Sequence, residues 1–348
     1  MTTTMNQELP QDKSAWRQIV ARYQTASLNR SVIQLITSVV PYFVLLVLMY
    51  FSLDISYWLT LLLAIPAAGF VIRIFIIFHD CGHGSFFASR EANEWVGRFT
   101  GVLTFTPYHR WRRAHAIHHA TAGDLDRREA GDVWTMTVDE YLESPPLKRL
   151  GYRVYRFPPI MLTVGAWMSF LVFERLWFWE KDKRARNSVI WTDVALLAIA
   201  VVATLTIGLK AYLLIQIPVI CLAASAGVWL FYVQHQFEGV YWQRHEDWDY
   251  VDAALQGSSY YKLPSLLQWF SGNIGFHHIH HLSPKIPNYN LEQANNENSL
   301  FQIAPVTPRS SLKSLGFRLW DEENHQLVGF SEAKRAAELR SAPAKPNP

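Results

Sequence analysis

Four long apolar stretches, separated by polar and charged segments, dominate the pattern of hydrophobic positions along the chain. They cover residues 32–53, 57–78, 189–209 and 211–233. Each contains about the 20 residues that an α-helix needs to cross the hydrocarbon core of a bilayer. Because very short links join the members of each pair, the pattern predicts two hairpins of transmembrane helices. Four buried helices of a water-soluble protein are the alternative, which so many long stretches disfavour.

Basic residues flank the outer ends of both predicted hairpins, whereas the hairpin tips carry a single Lys. The flanking residues are Lys13, Arg17, Arg22, Arg30, Arg110, Arg112, Arg113, Arg127, Arg128, Lys148, Arg149, Arg153, Arg156, Lys181, Lys183, Arg184 and Arg186. Loops rich in Lys and Arg usually stay on the cytoplasmic side of a membrane. The charge pattern therefore predicts that both termini lie in the cytoplasm.

Three short motifs contain most of the histidine in the chain. They are HDCGH with His79 and His83, HAIHH with His115, His118 and His119, and HHIHH with His277, His280 and His281, and His235 follows the fourth apolar stretch alone. Spacings of three and four residues place side chains on one face of a helix, so each motif can direct several imidazoles at a common point. Neutral imidazole binds iron, zinc, copper and nickel. Eight or nine imidazoles exceed the needs of one ion, and the motifs therefore predict a site for two metal ions.

The ligand types narrow the choice of metal. One catalytic zinc usually takes three protein ligands and a water. Soluble di-iron carboxylate proteins use glutamates with Glu-x-x-His pairs, which these motifs lack. A histidine-dominated di-iron centre is therefore the favoured interpretation.

Other polar residues near the motifs have weaker assignments. Metal-bound histidines usually donate a hydrogen bond from their second ring nitrogen to a polar partner. The candidates for such a partner are Asp80, Asp126, Asp132, Glu238 and Asn273. The isolated histidines His109, His245 and His325 are expected to be structural. On a helix, His278 points about 100° away from its neighbour and is placed outside the ligand set.

Two further apolar segments, residues 95–106 and 158–179, do not fit into a hairpin. The second is long enough to span, but it is basic at both ends and contains Glu174 and Arg175. A span here would also put the HAIHH motif across the membrane from His235. Both segments are therefore interpreted as interfacial or re-entrant helices.

These elements define the expected fold class, an all-α membrane protein with four transmembrane helices in two hairpins and a cytoplasmic helical cap that holds the histidine-rich di-iron site. The expected boundaries are a cytoplasmic N-terminal segment (1–31), the first hairpin (32–83), a cytoplasmic or interfacial region (84–188), the second hairpin (189–235), the cytoplasmic cap (236–335) and a disordered tail (336–348).

Composition excludes several classes of protein. A net charge of only +3 over 348 residues does not indicate a nucleic-acid-binding protein, which usually carries a strong excess of basic residues. Two cysteines, Cys81 and Cys221, are too few for an iron–sulfur cluster and disfavour a disulfide-stapled secreted fold. The polar N-terminal residues lack the apolar core of a signal peptide.

The motifs and their surroundings resemble the membrane fatty acid desaturases, most of all the bacterial acyl-lipid group that includes delta-12 (omega-6) type enzymes. The similarity is carried by HDCGHGSF, HAIHHATAGDLDRREAGDVWTMTVDEY and HHIHHLSPKIPNYNL, and it extends from about His79 to Phe330. In that family the motifs HxxxH, HxxHH and HxxHH hold a non-haem di-iron centre on the cytoplasmic side. The resemblance implies that the eight motif histidines are iron ligands and that His235 matches an extra ligand before the third motif.

The resemblance also implies an activity, in which O2 is the co-substrate and two hydrogens leave adjacent methylenes of an acyl chain. Two non-haem iron ions would be the cofactor, and a phospholipid-esterified acyl chain in a bacterial inner membrane would be the substrate. The sequence shows no nucleotide, flavin or fused haem motif, so an external ferredoxin, flavodoxin or cytochrome is expected to supply the electrons. Arg110, Arg112 and Arg113 are candidates for docking an acidic donor.

Two alternatives stay open at this point. A hydroxylase or ketolase of the same superfamily would share the histidines and differ in its product, although the stretch DLDRREAGDVWTMTVDEY favours a desaturase. A membrane metal transporter with histidine-rich loops would need ionisable residues along a path in mid-membrane. Within the predicted spans these are mainly Arg73 and Asp193, both near the cytoplasmic ends.

Overall fold

Most of the polypeptide is helical in the computed structural model, which describes residues 15–128 and 131–341. The helices are α1 (Ala15–Ala21), α2 (Leu28–Ser52), α3 (Tyr57–His83), α4 (Arg90–Leu103), α5 (Tyr108–Thr121), α6 (Val138–Glu143), α7 (Pro146–Tyr155), α8 (Pro158–Ile160), α9 (Ala166–Leu171), α10 (Lys183–Thr206), α11 (Leu209–His235), α12 (Tyr250–Gln256), α13 (Ser265–Phe270), α14 (His277–Leu282), α15 (Asn288–Glu297), α16 (Pro308–Ser311) and α17 (Phe330–Ser341). The strands are β1 (Met136–Thr137), β2 (Leu319–Asp321) and β3 (Gln326–Val328). The mostly helical fold is as predicted, whereas the strands were not anticipated. Of the expected disordered tail (336–348), residues 336–341 instead belong to α17, and residues 342–348 lie outside the described residues.

Four helices, α2, α3, α10 and α11, are long and apolar enough to cross a membrane. Large apolar side chains cover their outer surfaces; Leu197 and Leu205 of α10, for example, are 65% and 81% exposed. An extended apolar surface of this kind is typical of contact with lipid. The prediction of four membrane helices is confirmed, and they pack as the pairs α2 with α3 and α10 with α11, joined by contacts between α3 and α11.

The membrane helices extend beyond the apolar stretches that predicted them. The side chain of Asp182 accepts a hydrogen bond of 2.8 Å from the backbone N–H of Ala185. This bond pairs one of the backbone N–H groups that the first turn of a helix leaves without a partner, and it stabilises the polar first turn of α10. In the first hairpin, α3 continues to His83 and ends at Gly84, whose φ of 71° suits the left-handed end of a helix. As α11 likewise continues to His235, three of the predicted ligands lie on continuations of membrane helices.

The segment between the two hairpins bends instead of forming a straight span. Pro146–Tyr155 and Pro158–Arg175 meet at 59°. A proline disfavours helical geometry in the residue before it, which explains the break at Pro158. The ring nitrogen of Trp167 donates hydrogen bonds of 3.0 Å to Cys221 O and Ser225 Oγ, so this segment packs on α11. The bend is typical of a broken span or of a re-entrant segment, and the sequence pattern of residues 158–179 predicted an interfacial or re-entrant helix.

The C-terminal third packs against the end of the membrane helices that carries the histidines. One buried apolar cluster joins Ile76 of α3 with Ile279 of α14 and Leu291 of α15. In the small sheet, β1 pairs in parallel with β2, and β2 pairs antiparallel with β3. Since β1 follows α5 in the chain and β2 lies near the C-terminus, the sheet ties the region after α5 to the C-terminal part.

Candidate metal centre

Nine histidine side chains that are far apart in the sequence meet near the ends of α3 and α11 and form two groups. In each group, one nitrogen from every ring lies within 4.8 Å of the others. The first group contains His79, His83, His115, His119 and His280, and the second contains His118, His235, His277 and His281. All these rings are buried apart from the half-buried His83. The rings of His119 and His281 stack with centroids 4.2 Å apart, so the two groups are in direct contact.

Helix geometry explains how the motifs divide between the two groups. Residues four apart lie on the same side of a helix, one turn above each other, whereas adjacent residues differ by about 100°. Each HxxHH motif therefore sends its i, i+4 pair to one group and its i+3 member to the other. The pairs are His115 with His119 and His277 with His281, and the single members are His118 and His280. Each of these two motifs thus directs two imidazoles at a common point and its third imidazole at the other group, so α5 and α14 each bridge both groups.

Within each group the rings turn their Nε2 atoms towards one another. The Nε2–Nε2 distances are 3.1 Å for His118–His235, 3.0 Å for His235–His277, 3.3 Å for His118–His281, 3.1 Å for His115–His119 and 3.0 Å for His119–His280. A neutral imidazole carries a proton on only one nitrogen. Several unprotonated nitrogens at this spacing repel one another unless a cation lies between them. Both groups can therefore bind a metal ion, and the donor set fits the imidazole-binding metals, iron among them.

Burial keeps five of these histidines uncharged. The pKa values of His115, His119, His277, His280 and His281 lie well below the ordinary value for histidine. Burial is the main cause, because it disfavours the charged ring, and repulsion from neighbouring rings adds to it. Neutral imidazole is the form that binds metal, so these five rings are ready to act as ligands at neutral pH.

Asp132 orients His118, as one of the sequence-based assignments proposed. Its Oδ1 lies 2.6 Å from Nδ1 of His118. Burial alone would raise the pKa of Asp132, but the adjacent His118 holds that pKa below its ordinary value. Gly131 brings the loop close with a φ of 83°, and a Cβ at this position would lie 3.0 Å from the Cβ of His118. The carboxylate fixes the ring so that its Nε2 points into the second group.

We expect Asp132→Asn to weaken metal binding in the second group by about 10- to 100-fold, because the amide keeps the shape but loses the charge that fixes His118. The metal retained during dialysis against a graded series of chelator concentrations measures this effect. Asp126→Asn is the matched control, since Asp126 pairs with Arg244 at 2.6 Å. Equal metal retention in the wild type and Asp132→Asn would contradict the orienting role.

A second carboxylate network supports His79. Oδ1 of Asp80 lies 3.0 Å from Nδ1 of His79, and Oδ2 accepts hydrogen bonds from the backbone N–H (2.6 Å) and the side-chain amide (2.8 Å) of Asn288. The amide of Gln34 on α2 donates to Oδ1 of Asn288 at 3.0 Å. Asp80 was among the candidates from the sequence, whereas Asn288 and Gln34 were not. The one available signal was a glutamine inside an apolar stretch, where a polar group needs a partner.

Three of the other polar candidates do not face the histidine groups. Asp126 belongs to the ion pair with Arg244, and Glu238 pairs with Lys313 at 2.6 Å on the surface. Asn273 adopts a φ of 60° in the turn before α14, so it does not share a helical face with the motif as the sequence suggested.

The histidines that were set aside stay outside both groups. Nε2 of the buried His278 lies 2.9 Å from the carbonyl oxygen of Phe301, and burial lowers the pKa of this ring to about 4. His109 lies 2.7 Å from Glu94, and His245 lies 2.8 Å from Asp124. His325 adopts a φ of 47° in the turn between β2 and β3.

A mainly apolar cavity of about 430 Å³ reaches both histidine groups. It lies between α3, α5, α9 and α11, and its lining includes His79 from the first group and His277 from the second. Gly227 of α11 also lines it, and a Cβ added there meets no atom within 4 Å. Arg110 and Glu174 supply charged groups to the lining. Its mainly apolar lining suits a flexible apolar chain, and its histidines place such a chain beside both groups.

The fold and the site together define a membrane protein with paired polyhistidine metal-binding groups beside an apolar cavity. A family profile described as "Fatty acid desaturase" matches residues 56–304. A "Fatty acid desaturase" of Bacillus subtilis (strain 168) is 48% identical over 323 residues, which cover 92% of this chain and 92% of the relative. The chain therefore belongs to the fatty acid desaturase family, a family of oxygen-dependent oxidoreductases.

More distant relatives carry more specific names. An "sn-1 oleoyl-lipid 12-desaturase" of Synechocystis sp. is 29% identical over 239 residues, covering 63% of this chain and 62% of the relative. An "sn-1 acyl-lipid omega-3 desaturase (ferredoxin)" of Nostoc sp. is 28% identical over 239 residues, covering 64% of this chain and 62% of the relative. This chain thus spans about three fifths of the length of each of these two proteins.

Proposed function

We propose that the protein introduces a cis double bond into an acyl chain esterified in a membrane phospholipid, using O2 and two electrons at a di-iron site. The observation that carries this proposal is the apolar cavity lined by histidines of both groups, because an alkyl chain inside it lies beside both metal positions. The names of the oleoyl-lipid and acyl-lipid relatives support a lipid-bound substrate. In the balanced reaction, two hydrogens leave the chain, two electrons and two protons are added, and O2 is reduced to two waters.

All nine histidines are assigned to the two irons, five in the first group and four in the second. When bound, the iron supplies the activation of O2 and the oxidising power that removes hydrogen from an unactivated methylene. The protein binds the ions, shields them from water and orients the rings through Asp80 and Asp132. Since the reacting part of an alkyl chain offers no polar handle, the walls of the cavity must decide which carbons lie beside the histidines.

We assign the histidine end of the membrane helices to the cytoplasm, in a bacterial inner membrane. The basic first turn of α10 and the histidine ends of α3 and α11 belong to segments that the positive-inside rule places on that side. This assignment puts the N-terminal segment, the region between the hairpins and the part after α11 in the cytoplasm. The order of the segments expected from the sequence is kept, with the bounds that the structure gives for α2, α10 and α17.

The electrons are proposed to come from an acidic external carrier that docks on the outer face of α5. Three of the predicted ligands lie on the buried face of this helix, and Arg112 and Arg113 are exposed on the other. Arg112 makes no ion pair with any described residue and lies close enough to the half-buried His83 to act on it electrostatically. Arg113 is partly engaged by Glu180 at 3.2 Å. The sequence also suggested Arg110, but this side chain turns to the cavity and donates to a backbone oxygen at 2.9 Å.

Arg112→Glu is expected to raise the KM for a reduced acidic ferredoxin about tenfold at low ionic strength, because reversing a charge on the docking face removes electrostatic steering. The difference should shrink as salt is added. Lys148→Glu on α7 is the control, an equal charge reversal at another exposed position. Steady-state turnover against ferredoxin concentration at several ionic strengths measures both. A KM that rises equally in both variants would show a general charge effect and contradict the docking face.

Expression in a host with saturated membrane lipids tests the function itself. Mass spectrometry with double-bond localisation is expected to find new unsaturated acyl chains in intact phospholipids. Hydroxylated or keto chains would favour the hydroxylase or ketolase alternative, and an unchanged lipid profile in iron-replete, aerated cells would contradict the proposal.

A further inference from the structure

A second and larger cavity, of about 620 Å³, lies between the C-terminal half of α4 and the N-terminal turns of α5 and α10. We name it the α4–α10 groove, and the residues that carry its chemistry are Arg98, Val102, Lys183, Arg184, Asn187 and Trp191. It shares no lining residue with the cavity beside the histidines. The groove is therefore a separate compartment, and the proposed reaction does not use it.

One end of the groove carries an excess of positive charge. Arg98 and Arg184 share the carboxylate of Glu94, at 2.7 Å and 3.4 Å respectively. The carboxylate of Asp182 is engaged in capping α10. Lys183 makes no ion pair with any residue that the structure describes. Three cations thus face two carboxylates, which leaves one positive charge without a partner at an exposed position.

The other end of the groove is apolar and lies deeper along α10. Trp191 is 71% exposed and lies eight residues after Lys183, a rise of roughly 12 Å along a helix. The headgroup layer on one side of a bilayer is only about 5–8 Å thick. A groove that starts in the headgroup layer at Lys183 therefore enters the hydrocarbon before it reaches Trp191 and Val102. Its occupant must be anionic at one end and apolar at the other.

We propose that the α4–α10 groove binds one anionic phospholipid, with the phosphodiester at Lys183, Arg184 and the amide of Asn187 and one acyl chain along Trp191. The single unmatched charge suits a monoanionic phosphodiester better than an acyl-coenzyme A, which carries several negative charges. A soluble phosphate would leave the apolar end empty. The lipid would brace α5 against α10, where the hydroxyl of Ser188 accepts a hydrogen bond of 3.2 Å from the backbone N–H of Arg110.

Native mass spectrometry of the delipidated full-length protein, titrated with phosphatidylglycerol or with phosphatidylcholine of the same acyl chains, tests this proposal. The protein is expected to retain one phosphatidylglycerol molecule in preference to phosphatidylcholine. Lys183→Gln combined with Arg184→Gln should weaken this binding about fivefold for each cation removed. Trp191→Ala should weaken it as well. Lys181→Gln is the matched control, because Lys181 is exposed next to the groove without lining it.

Four results would overturn the proposal. Equal retention of the two lipids would remove the charge argument, and an equal loss in Lys181→Gln would show that only the general surface charge matters. Displacement of the lipid by an equal concentration of glycerol 3-phosphate would identify a soluble-anion site. Displacement by an equal concentration of acyl-coenzyme A would identify a site for a soluble acyl carrier. The readout is lipid retention, so the result does not depend on the proposed desaturase activity.

Discussion

His118→Ala is expected to abolish double-bond formation and to lower the bound iron by about half, while the protein stays in the membrane. Nε2 of His118 lies 3.1 Å from that of His235 and 3.3 Å from that of His281, so its loss opens the smaller group. Three imidazoles then remain there, whereas the first group keeps all its rings. The membrane helices are untouched, since His118 lies on α5. Iron analysis of the purified protein and acyl-chain profiling of the expressing cells measure the two effects.

His278→Gln provides the matched control within a histidine motif. His278 is as deeply buried as the ligands, but it contacts the carbonyl oxygen of Phe301, and a glutamine amide can still donate to that oxygen. Iron content and activity should therefore stay close to those of the wild type. Full activity of His118→Ala, or equal iron loss in both variants, would contradict the ligand assignment.

The same approach tests how the motifs divide between the groups. His280→Ala should remove a ligand from the first group and leave the second group complete, the reverse of His118→Ala. Mössbauer spectra of the two iron-loaded variants are therefore expected to show different remaining sites. Identical spectra would mean that the two residues serve the same ion.

The parts of this structure that follow from local rules were predictable. The length and hydropathy of a helix that crosses lipid are set by the bilayer, so all four membrane helices followed from the pattern alone. The i, i+4 spacing brings His79 and His83 onto one face whatever the rest of the chain does.

The parts that depend on packing between distant segments were not predictable. Helix geometry pairs His115 with His119, but the group that this pair joins depends on how α5 packs against α3, α11 and α14, and the spacing within a motif does not show that packing. The contact between Gln34 and Asn288 joins residues 254 positions apart. The strands are two or three residues long, too short for an alternating pattern to appear. The cavity exists only where four helices meet, so no stretch of sequence encodes it.

Gly227→Phe is expected to lower activity on long acyl chains about tenfold or more without loss of iron. A Cβ at position 227 enters open space in the cavity of about 430 Å³, so the ring would occupy room that the acyl chain needs. Displacing even one methylene from an apolar pocket costs about 1–3 kcal/mol, or 10- to 200-fold. Folding should survive, because glycine is less favourable than other residues inside a helix by up to about 1 kcal/mol.

The size of the side chain at position 227 should set the size of the effect. We expect activity to fall in the order Gly, Ala, Leu, Phe, and to fall less for shorter acyl chains, which need less of the cavity. Leu222→Phe is the control, since Leu222 lies on the same helix, is 42% exposed on its outer surface and does not line the cavity. Conversion rates for a series of acyl chain lengths, each normalised to bound iron, measure the effect. If Gly227→Phe matched the wild type, the acyl chain would have to lie elsewhere, and if Leu222→Phe lost as much activity, the defect would belong to the helix and not to the cavity.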